Sequence, residues 1–279
     1  MMLKKKIIVL SIAFLALNLY GFTASSNNSI SNNEQFIKTE NNILYVGGTG
    51  ENNYTNIKDA ISDSQNKDTI FVYNGTYYEN LVINKSLSLI GKKSDTVILD
   101  GNNISDKITI NSYGVTVDSF TILNVTGSVV NNIFRAGIRI TGSNNIVKNC
   151  IIKDNNVGIF IRRGNKEIIK NNRFQDNSIV MSPYDIEEKN IALNRDFFDH
   201  TIENNTVNGK DILYLKNVKN EKIPKNTGQI LTYNCSNLTV DNMSFSKCDL
   251  SLIMTYTDNC KINNSKFIDA DITKISGKE

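Results

Sequence analysis

The sequence predicts an all-β protein in which one chain of short parallel strands winds into a solenoid, a parallel β-helix, with a short capping helix near its N-terminal end. The first observation is an internal repeat: the pattern of residues 137–155 returns about 22 residues later, as residues 158–177. A fixed period of this length is typical of one supersecondary unit stacked on itself. The second observation is that Ile and Val alternate with polar residues, the period of two that a half-buried strand requires.

Other repeat architectures of similar period fit less well. No helix fits beside the strands within one copy, and the Leu-x-x-Leu-x-Leu phrase of leucine-rich repeats is absent. The second half of the pattern recurs at residues 117–122, 147–152, 169–174, 202–207, 240–245 and 262–267. Because strands of successive turns lie about 4.8 Å apart, equivalent side chains are expected to stack in ladders.

Two ladders are predicted from these copies. An inward apolar ladder comprises Ile152, Phe174, Val207, Phe245 and Phe267. An amide ladder at a corner comprises Asn149, Asn171, Asn204, Asn242 and Asn264. Asn suits a corner because it tolerates a left-handed backbone and because its amide both donates and accepts hydrogen bonds. The first copy has Ser119 there, so the amide ladder is expected to begin one turn later.

The first 42 residues predict export. Lys4, Lys5 and Lys6 precede an apolar run from Ile7 to Phe22, with a candidate cleavage site near Ala24, and this is the layout of a signal peptide. Residues 1–24 are therefore interpreted as a signal peptide or an uncleaved N-terminal anchor, and residues 25–42, rich in Ser and Asn, as a flexible linker. The expected location is extracellular or at the cell surface, or periplasmic if the host has two membranes.

Composition argues against several functions. The formal net charge is only +3, and it falls when the leader lysines are removed, so no nucleic-acid partner is expected. A membrane contact is expected only through an uncleaved N-terminal segment. With one His and no Cys-x-x-Cys pair, neither a metal nor a cofactor is expected. Cys150, Cys235, Cys248 and Cys260 are compatible with disulfides, and three pairings remain open.

Residues 43–91 differ from the repeat and predict an N-terminal cap with the first coils. Ile57, Ala60 and Ile61 have helical spacing, and Thr55 is the expected N-cap. Strands are predicted at Thr69–Tyr73, Leu81–Ile83 and Leu87–Ile90. Residues 47–50 read as a turn, because they lack the Lys-Ser/Thr of a phosphate loop. A helix over the open end of the stack would cover unpaired strand edges.

This segment also carries a family resemblance. The phrases concerned are Tyr54-Thr55-x-Ile57-x-x-Ala60-Ile61, Asp68-Thr69-Ile70-x-Val72, Gly75-x-Tyr77-x-Glu79 and Ile83-x-Lys85-x-Leu87-x-Leu89-Ile90-Gly91. They resemble the opening segment of pectin-lyase-like right-handed β-helix proteins, a group that includes pectin methylesterases, NosD-type periplasmic proteins and adhesin-like surface proteins. The resemblance implies a right-handed coil over the domain 43–279, and it leaves function open because the scaffold hosts many activities.

If the protein were an enzyme, the candidate catalytic residues would be Asp176, Arg195, Asp196, Asp199 and His200. Gln175-Asp176 and Asp196-Phe197 are similar to the acid/base and nucleophile phrases of the esterases. The pattern departs from that family, however, since Asp154 occupies the same repeat position as Asp176 one coil earlier, and no Arg follows Arg195. No catalytic residue is therefore assigned. Calcium is expected only if the protein is a polysaccharide lyase, with the acidic insert 182–200 as its site.

Interruptions of the repeat predict where ligands bind. Extra residues occur at Leu123–Ala136, Lys210–Thr227 and Ser182–His200, and loops on a rigid scaffold usually carry binding residues. These three loops are expected to border a strip of the surface on one side of the central coils. The candidate ligand-binding residues on this strip are Arg139, Arg162, Arg163, Tyr184, Asp185, Asp196 and His200, with Tyr184 as the platform for a sugar ring.

The expected function is that of an exported, non-catalytic surface protein that binds a polysaccharide or a cell-surface glycan through these loops. The alternatives are a carbohydrate-active enzyme (pectin methylesterase-like, polysaccharide lyase or epimerase) and then a NosD-type accessory protein. Asp271–Ile275 begins a further strand, and its open edge predicts end-to-end self-association.

Overall fold

The structure is a computed structural model that describes residues 41–101, 105–126, 135–182 and 195–275. All of these belong to one unit, Glu40–Glu279. The predicted leader and residues 25–40 of the predicted linker lie outside the described residues. Tyr184 and Asp185 do so as well.

A strand and a helix precede a series of coils. They are β1 (Ile43–Val46) and α1 (Ile57–Asp63). Five coils of three strands follow: β2 (Thr69–Val72), β3 (Gly75–Tyr77), β4 (Leu81–Ile83), β5 (Ser88–Gly91), β6 (Val97–Asp100), β7 (Ile108–Ile110), β8 (Thr116–Asp118), β9 (Thr121–Val125), β10 (Ala136–Ile140), β11 (Ile146–Lys148), β12 (Ile151–Asn155), β13 (Val157–Arg162), β14 (Ile168–Lys170), β15 (Arg173–Gln175) and β16 (Ile179–Ser182).

The C-terminal part begins with a 3-10 helix at Arg195–Phe198. Its strands are β17 (Thr201–Glu203), β18 (Thr206–Val207), β19 (Lys210–Lys216), β20 (Thr227–Tyr233), β21 (Thr239–Asp241), β22 (Ser244–Thr255), β23 (Lys261–Asn263) and β24 (Lys266–Ile275). Among the described residues, no helix is long and apolar enough to cross a membrane.

Successive coils build three sheets. Sheet A has the order β1-β2-β5-β8-β11-β14-β17, sheet C has β4-β7-β10-β13-β16, and sheet B runs from β3 through β6, β9, β12 and β15 to β24. The coils pair in parallel with the predicted register, since Ile138 lies opposite Ile159 and Ile152 opposite Phe174. One side of most strands is apolar and buried between the sheets, with Ile138, Ile152 and Ile159 fully buried. The predicted all-β parallel β-helix with a short helix is confirmed.

Left-handed residues turn the chain at the corner between sheets A and B. The φ angles are 64° at Ser119, 56° at Asn149, 57° at Asn171, 54° at Asn204, 53° at Asn242 and 48° at Asn264. Asn171 Nδ2 donates to Asn149 Oδ1 at 3.4 Å, which is one step of an amide ladder. Asn149 Nδ2 in turn donates to Asp118 Oδ1 at 2.8 Å. The row of stacked amides therefore stops at the coil whose corner holds Ser119.

A buried amide row lies one residue further along, and sequence analysis missed it. Asn172 Oδ1 accepts the backbone N–H of Cys150 at 2.9 Å, and Asn205 Oδ1 accepts that of Asn172 at 2.9 Å. Asn172 Nδ2 and Asn205 Nδ2 also donate to the carbonyls of Val147 and Ile169. Because both Asn are buried, these bonds satisfy corner backbone groups that water does not reach.

The inward apolar ladder is interrupted once. Phe174 lies opposite Val207, but β19 and β20 separate β18 from β22 in sheet B. Val207 and Phe245 are therefore not on successive strands, contrary to the sequence interpretation. Beyond the interruption the ladder resumes, with the rings of Phe245 and Phe267 stacked at a centroid distance of 5.0 Å.

The interruption arises because residues 210–227 form part of a coil and not an inserted loop, which corrects the sequence interpretation. β19 and β20 pair in parallel. Ile212 and Ile223 are buried. Stacked Asn pairs in this region, such as Asn217 and Asn234, lie 17 residues apart. Because this period is shorter than the repeat of about 22 residues, the sequence pattern did not reveal the coil.

Helix α1 is held by charged side chains of the first coil. Thr55 is not its N-cap, as the sequence suggested: Asn56 occupies that position and makes no side-chain cap bond. Instead, the Glu79 carboxylate accepts the backbone N–H groups of Ile57 and Lys58, both at 2.8 Å. A carboxylate at a helix N-terminus satisfies otherwise unpaired donors and interacts favourably with the helix dipole.

Candidate functional site

A shallow, open depression lies over one end of sheet C, where the predicted acidic insert leaves the coil. It is lined by Ile161, Arg163, Gly164, Met181, Ser182, Phe197 and Phe198. Arg163 is exposed, and Ser182 and Phe197 are half-buried. Arg162, also half-buried, ends β13 beside the depression. A cation, a hydroxyl group and an aromatic ring therefore meet there.

The 3-10 helix is fixed beside this depression by Phe198. The Phe198 side chain is only 1% exposed, and its ring stacks on that of Tyr233 at a centroid distance of 5.4 Å. The backbone N–H of Lys166 donates to the carbonyl of Asp199 at 2.6 Å. These contacts hold the exposed Asp196 and the neighbouring Phe197 close to the end of β13.

Arg139 is not an exposed ligand-binding residue, which corrects the sequence interpretation. Its side chain is 7% exposed and forms a two-point ion pair with Asp106, Nη2 lying 3.0 Å from Oδ1 and Nε contacting Oδ2. The guanidinium also lies 4.9 Å from the centroid of the Phe160 ring. Paired arginines of this kind hold neighbouring coils together. Arg139 therefore has a structural role.

His200 is also buried, at 5% exposure, and so does not face solvent as the sequence suggested. Its Nδ1 accepts the backbone N–H of Glu167 at 3.3 Å. One coil below, Glu167 Oε2 accepts the N–H of Asn145 at 3.0 Å, and Asn145 Oδ1 accepts that of Val115 at 2.9 Å. The three side chains thus form a polar column at the corner between sheets C and A. Each of them accepts a backbone N–H group of the coil beneath it.

Burial controls the charge of this column. Loss of hydration raises the pKa of Glu167 to about 8 and lowers that of His200 to about 4. Both groups are therefore neutral at pH 7. Within the described residues, Glu167 Oε1, His200 Nε2 and Asn145 Nδ2 have no hydrogen-bond partner. The column is therefore better suited to stabilising the corner than to binding a charged ligand.

The residues expected to act in an enzyme are not brought together. Asp176 has a φ of 55° at the corner before β16, the corner position that Asp154 holds one coil earlier with the same φ. Asp196 and Asp199 follow the far end of β16. Four residues of strand alone span about 13 Å. A shared reaction centre for Asp176 and Asp196 is therefore not formed.

Asp199 is engaged elsewhere. Its Oδ1 lies 2.5 Å from Lys216 Nζ, and this hydrogen-bonded ion pair lowers the pKa of Asp199. Arg195 begins the 3-10 helix. In the described ranges, no cluster of three or more His, Cys, Asp or Glu side chains is placed to hold a metal ion. All four cysteines are free thiols.

Mostly uncharged side chains form the central row on the outer face of sheet C. The outward residues in register across the sheet are Val82, Thr109, Arg139, Phe160 and Val180. This described row contains no carboxylate. Phe160 and Val180 are 7% and 6% exposed and cluster with Ala136 and Val157. The face is largely an apolar packing surface.

Sequence reasoning missed Asp106, Phe160 and Glu167. No local pattern identifies Asp106, because its partner Arg139 is 33 residues away. The position of Glu167 in the stack could have been predicted from the repeat, since it lies 22 residues after Asn145. The alignment of corner positions therefore predicts a stack of Asn145, Glu167 and His200.

Residues 88–217 match the family model described as a right-handed beta helix region. No curated protein matches the chain. Solved structures that match include a pectin methylesterase in complex with a hexasaccharide (15% identity, 78% of this chain and 66% of that chain, TM-score 0.42). Others are the pectin methylesterases from Aspergillus niger (13% identity, 85% and 90%, TM-score 0.44) and from carrot (11% identity, 80% and 82%, TM-score 0.41).

The family match and the strand order lead to the same conclusion. The matched region begins at β5 and ends just after β19, and within it sheets A and C consist of parallel strands from successive coils. The resemblance to right-handed β-helix proteins noted in the sequence is confirmed at the level of fold. The chain therefore has the right-handed parallel β-helix fold.

Proposed function

We propose that this protein is an exported, non-catalytic surface protein that binds polysaccharides or cell-surface glycans. Its binding site is the depression at the end of β13 and β16, where the insert follows Ser182 in the sequence. Tyr184 and Asp185 belong to this proposed site by sequence alone. Export is proposed from the leader-like sequence of residues 1–24. No nucleic-acid partner and no cofactor are proposed.

The observation that carries the proposal is that Arg163 and Phe197 line the same depression although 34 positions separate them in the chain. A guanidinium group offers several N–H donors in a plane, which suits the adjacent hydroxyl groups or the carboxylate of a sugar. An aromatic ring offers a face or an edge to the C–H groups of a pyranose. Ser182 adds a hydroxyl that both donates and accepts.

The separation of the carboxylates supports a non-catalytic role. A carboxylate nucleophile needs a second group within hydrogen-bond reach of the same reacting atoms. Asp176 and Asp196 lie at opposite ends of β16, and Asp199 is paired with Lys216. His200 is buried with its Nδ1 occupied by a backbone N–H. Glycan binding without chemical conversion is the function that this geometry supports best.

The proposal is tested by Arg163→Gln, which removes the cation but keeps a polar side chain. We expect a glycan array to show binding by the wild type and a loss of about tenfold or more in apparent affinity for this variant. Arg173→Gln is the matched control, because Arg173 is equally an exposed arginine but lies on sheet B. Equal signals from the wild type and Arg163→Gln would overturn the placement of the site, and no glycan binding by the wild type would overturn the function.

A further inference from the structure

The corner loop that carries Arg163 is packed around Glu167. Residues 163–167 follow β13, and the φ angles of Arg163 and Lys166 are left-handed, at 66° and 55°. Arg163 and Gly164 line the depression, whereas Glu167 is fully buried. A Cβ atom placed on Gly164 would lie 2.8 Å from Glu167 Oε1. The buried carboxyl group therefore packs against a residue that lines the depression.

Glu167 also connects this loop to the segment above it. Its backbone N–H donates to His200 Nδ1 at 3.3 Å, and the N–H of Lys166 donates to the carbonyl of Asp199 at 2.6 Å. Asp199 and His200 directly follow the 3-10 helix, whose Phe197 lines the depression. The two sides of the depression are therefore joined through Glu167 and Lys166.

The coil beneath binds the carboxyl group itself. Glu167 Oε2 accepts the N–H of Asn145 at 3.0 Å. The same loop contacts this coil through two further bonds, from the N–H of Asn144 to the carbonyl of Asn165 at 2.9 Å and from the N–H of Asn165 to Ser143 Oγ at 3.2 Å. Glu167 is thus the residue at which the coil beneath, the corner loop and the segment after the 3-10 helix meet.

We infer that Glu167 is a positioning residue of the glycan-binding depression, and that its protonated form holds Arg163 and Phe197 in the arrangement that binds. This inference rests on the proposed function and adds to it a residue that controls binding without touching the glycan. The protonated carboxyl group is neutral and fits a fully buried corner, whereas a carboxylate there would lose its hydration. Ionisation should therefore open the corner and move the two sides of the depression apart.

Glu167 is the group of this corner that changes charge between pH 7 and pH 9. Burial raises its pKa to about 8, and the hydrogen bonds from Asn145 oppose that rise. The pKa of His200 falls to about 4 and Lys216 lowers that of Asp199, so neither group titrates in this range. Within the described residues, the titratable and charged groups of the corner loop, of the segment above it and of β19 are Arg163, Lys166, Asp199, His200 and Lys216. The coil beneath contributes the uncharged side chains of Asn144 and Asn145.

The glycan array, read at pH 7 and at pH 9, tests the inference with Glu167→Gln. This variant keeps an acceptor for the Asn145 N–H but cannot ionise. We expect the apparent affinity of the wild type to fall about tenfold between the two pH values, because the protonated fraction of Glu167 falls by that factor. The affinity of Glu167→Gln should stay at the wild-type level of pH 7. Asp249→Asn is the matched control, because burial raises the pKa of Asp249 as well but this residue lies on β22, outside the depression, and its variant should weaken with pH as the wild type does.

Hydrogen exchange of the corner amides adds a measurement that needs no glycan. The N–H groups of Asn145 and Glu167 should be less protected at pH 9 than at pH 7 in the wild type, relative to exchange in an unfolded peptide at the same pH. Their protection should be equal at both pH values in Glu167→Gln. Thermal melting of each variant at both pH values checks that the fold is retained.

The outcomes separate this inference from the proposed function. Binding and amide protection that fall with pH in the wild type, but not in Glu167→Gln, support the positioning role. Wild-type binding that is equal at both pH values, or the same decline in the wild type and Glu167→Gln, overturns this role and leaves glycan binding intact. Weak binding by a folded Glu167→Gln already at pH 7 overturns it as well. No array binding by the wild type at either pH overturns the proposed function, and the positioning role with it.

Discussion

Glu79 and Lys85, six positions apart in the first coil, hold opposite ends of helix α1. The Glu79 carboxylate accepts the N–H groups of Ile57 and Lys58 at the start of the helix. Lys85 Nζ donates to the carbonyls of Ile61, Ser62 and Ser64 at its end, at 3.0, 2.7 and 2.7 Å. A helix of seven residues is too short to be stable alone, so these bonds attach it to the stack.

Removing either charge should loosen the helix. We expect Glu79→Gln and Lys85→Met each to lower the free energy of unfolding by about 1–2 kcal/mol, because charge-assisted bonds to helix ends are lost. Urea denaturation followed by far-UV circular dichroism measures the change. Glu51→Gln is the control, since Glu51 is an exposed carboxylate outside these bonds. An effect of Glu79→Gln no larger than that of Glu51→Gln would contradict the role of Glu79.

The apolar ladder predicts a larger effect from a charge in the core. Phe174 is 2% exposed between Ile152 and Val207, so Phe174→Asp should lower stability by more than about 4 kcal/mol and unfold several coils together. Val82→Asp is the matched control, because Val82 is a strand residue that is 49% exposed. Thermal melting measures both. A Phe174→Asp variant that is soluble and melts like the wild type would contradict the packing described for these coils.

The fold was predictable because its information is local and repeated. Each copy of the repeat contains a strand whose residues alternate between buried and exposed. Each copy also contains a corner residue with a left-handed backbone, such as Asn149 or Asn171. The caps of α1 were not predictable, because Glu79 reaches Ile57 from 22 residues away. The coil at residues 210–227 was missed because its stacked residues stand 17 positions apart.

The buried Glu167 makes stability depend on pH. Its pKa is 4.5 in an unfolded chain and about 8 in the folded protein, so the folded state keeps a proton that the unfolded state releases. Its contribution to stability is full below pH 4.5 and is lost as the pH rises through 8. Between pH 6.5 and 8, we expect Glu167→Gln to remove a decline of about 1.5–2 kcal/mol. Denaturant titrations at several pH values measure it.

Other buried groups make the comparison with the variant necessary. Burial raises the pKa of Asp249 to about 7 and lowers that of Lys107 to about 8, so the wild-type curve contains their contributions as well. The difference between wild type and Glu167→Gln isolates the glutamate. A difference that does not change with pH would contradict a protonated Glu167 in the folded state.

His200 predicts the opposite dependence at low pH. Burial lowers its pKa from 6.5 to about 4, so its contribution is full above pH 6.5 and is lost as the pH falls through 4. In the Glu167→Gln background, His200→Asn should therefore reduce the loss of folding free energy that occurs as the pH falls from 6.5 to 4. Asn is a suitable replacement because Asn145 holds the same position in the column. An unchanged acid slope would show that His200 is not the group responsible.

The C-terminal strand predicts self-association. β24 pairs with β22, and Ile268 and Ile272 on it are 53% and 44% exposed. An exposed strand carrying apolar side chains pairs readily with another chain. We expect light scattering to show a mass that grows with concentration, and Ile268→Lys with Ile272→Lys to prevent the growth. A mass that stays monomeric at high concentration would contradict this interface.

Sequence analysis located only part of the candidate site. Arg163 lines the depression and Asp196 is exposed next to Phe197, but the repeat does not reveal whether a side chain faces solvent or a neighbouring coil. Arg139 pairs with Asp106, and His200 caps Glu167. Both interactions depend on the stacking of distant segments.

The central claim is that the protein binds glycans and leaves them chemically unchanged. Its most direct test is to incubate the protein with each glycan retained on the array and to examine the ligand by mass spectrometry and by proton NMR before and after, because epimerisation leaves the mass unchanged. The account predicts binding that weakens in Arg163→Gln, and no change in the mass or the NMR spectrum of any ligand. A ligand that loses a methyl ester, gains water across a glycosidic bond or acquires an unsaturated sugar end would contradict it and identify an enzyme.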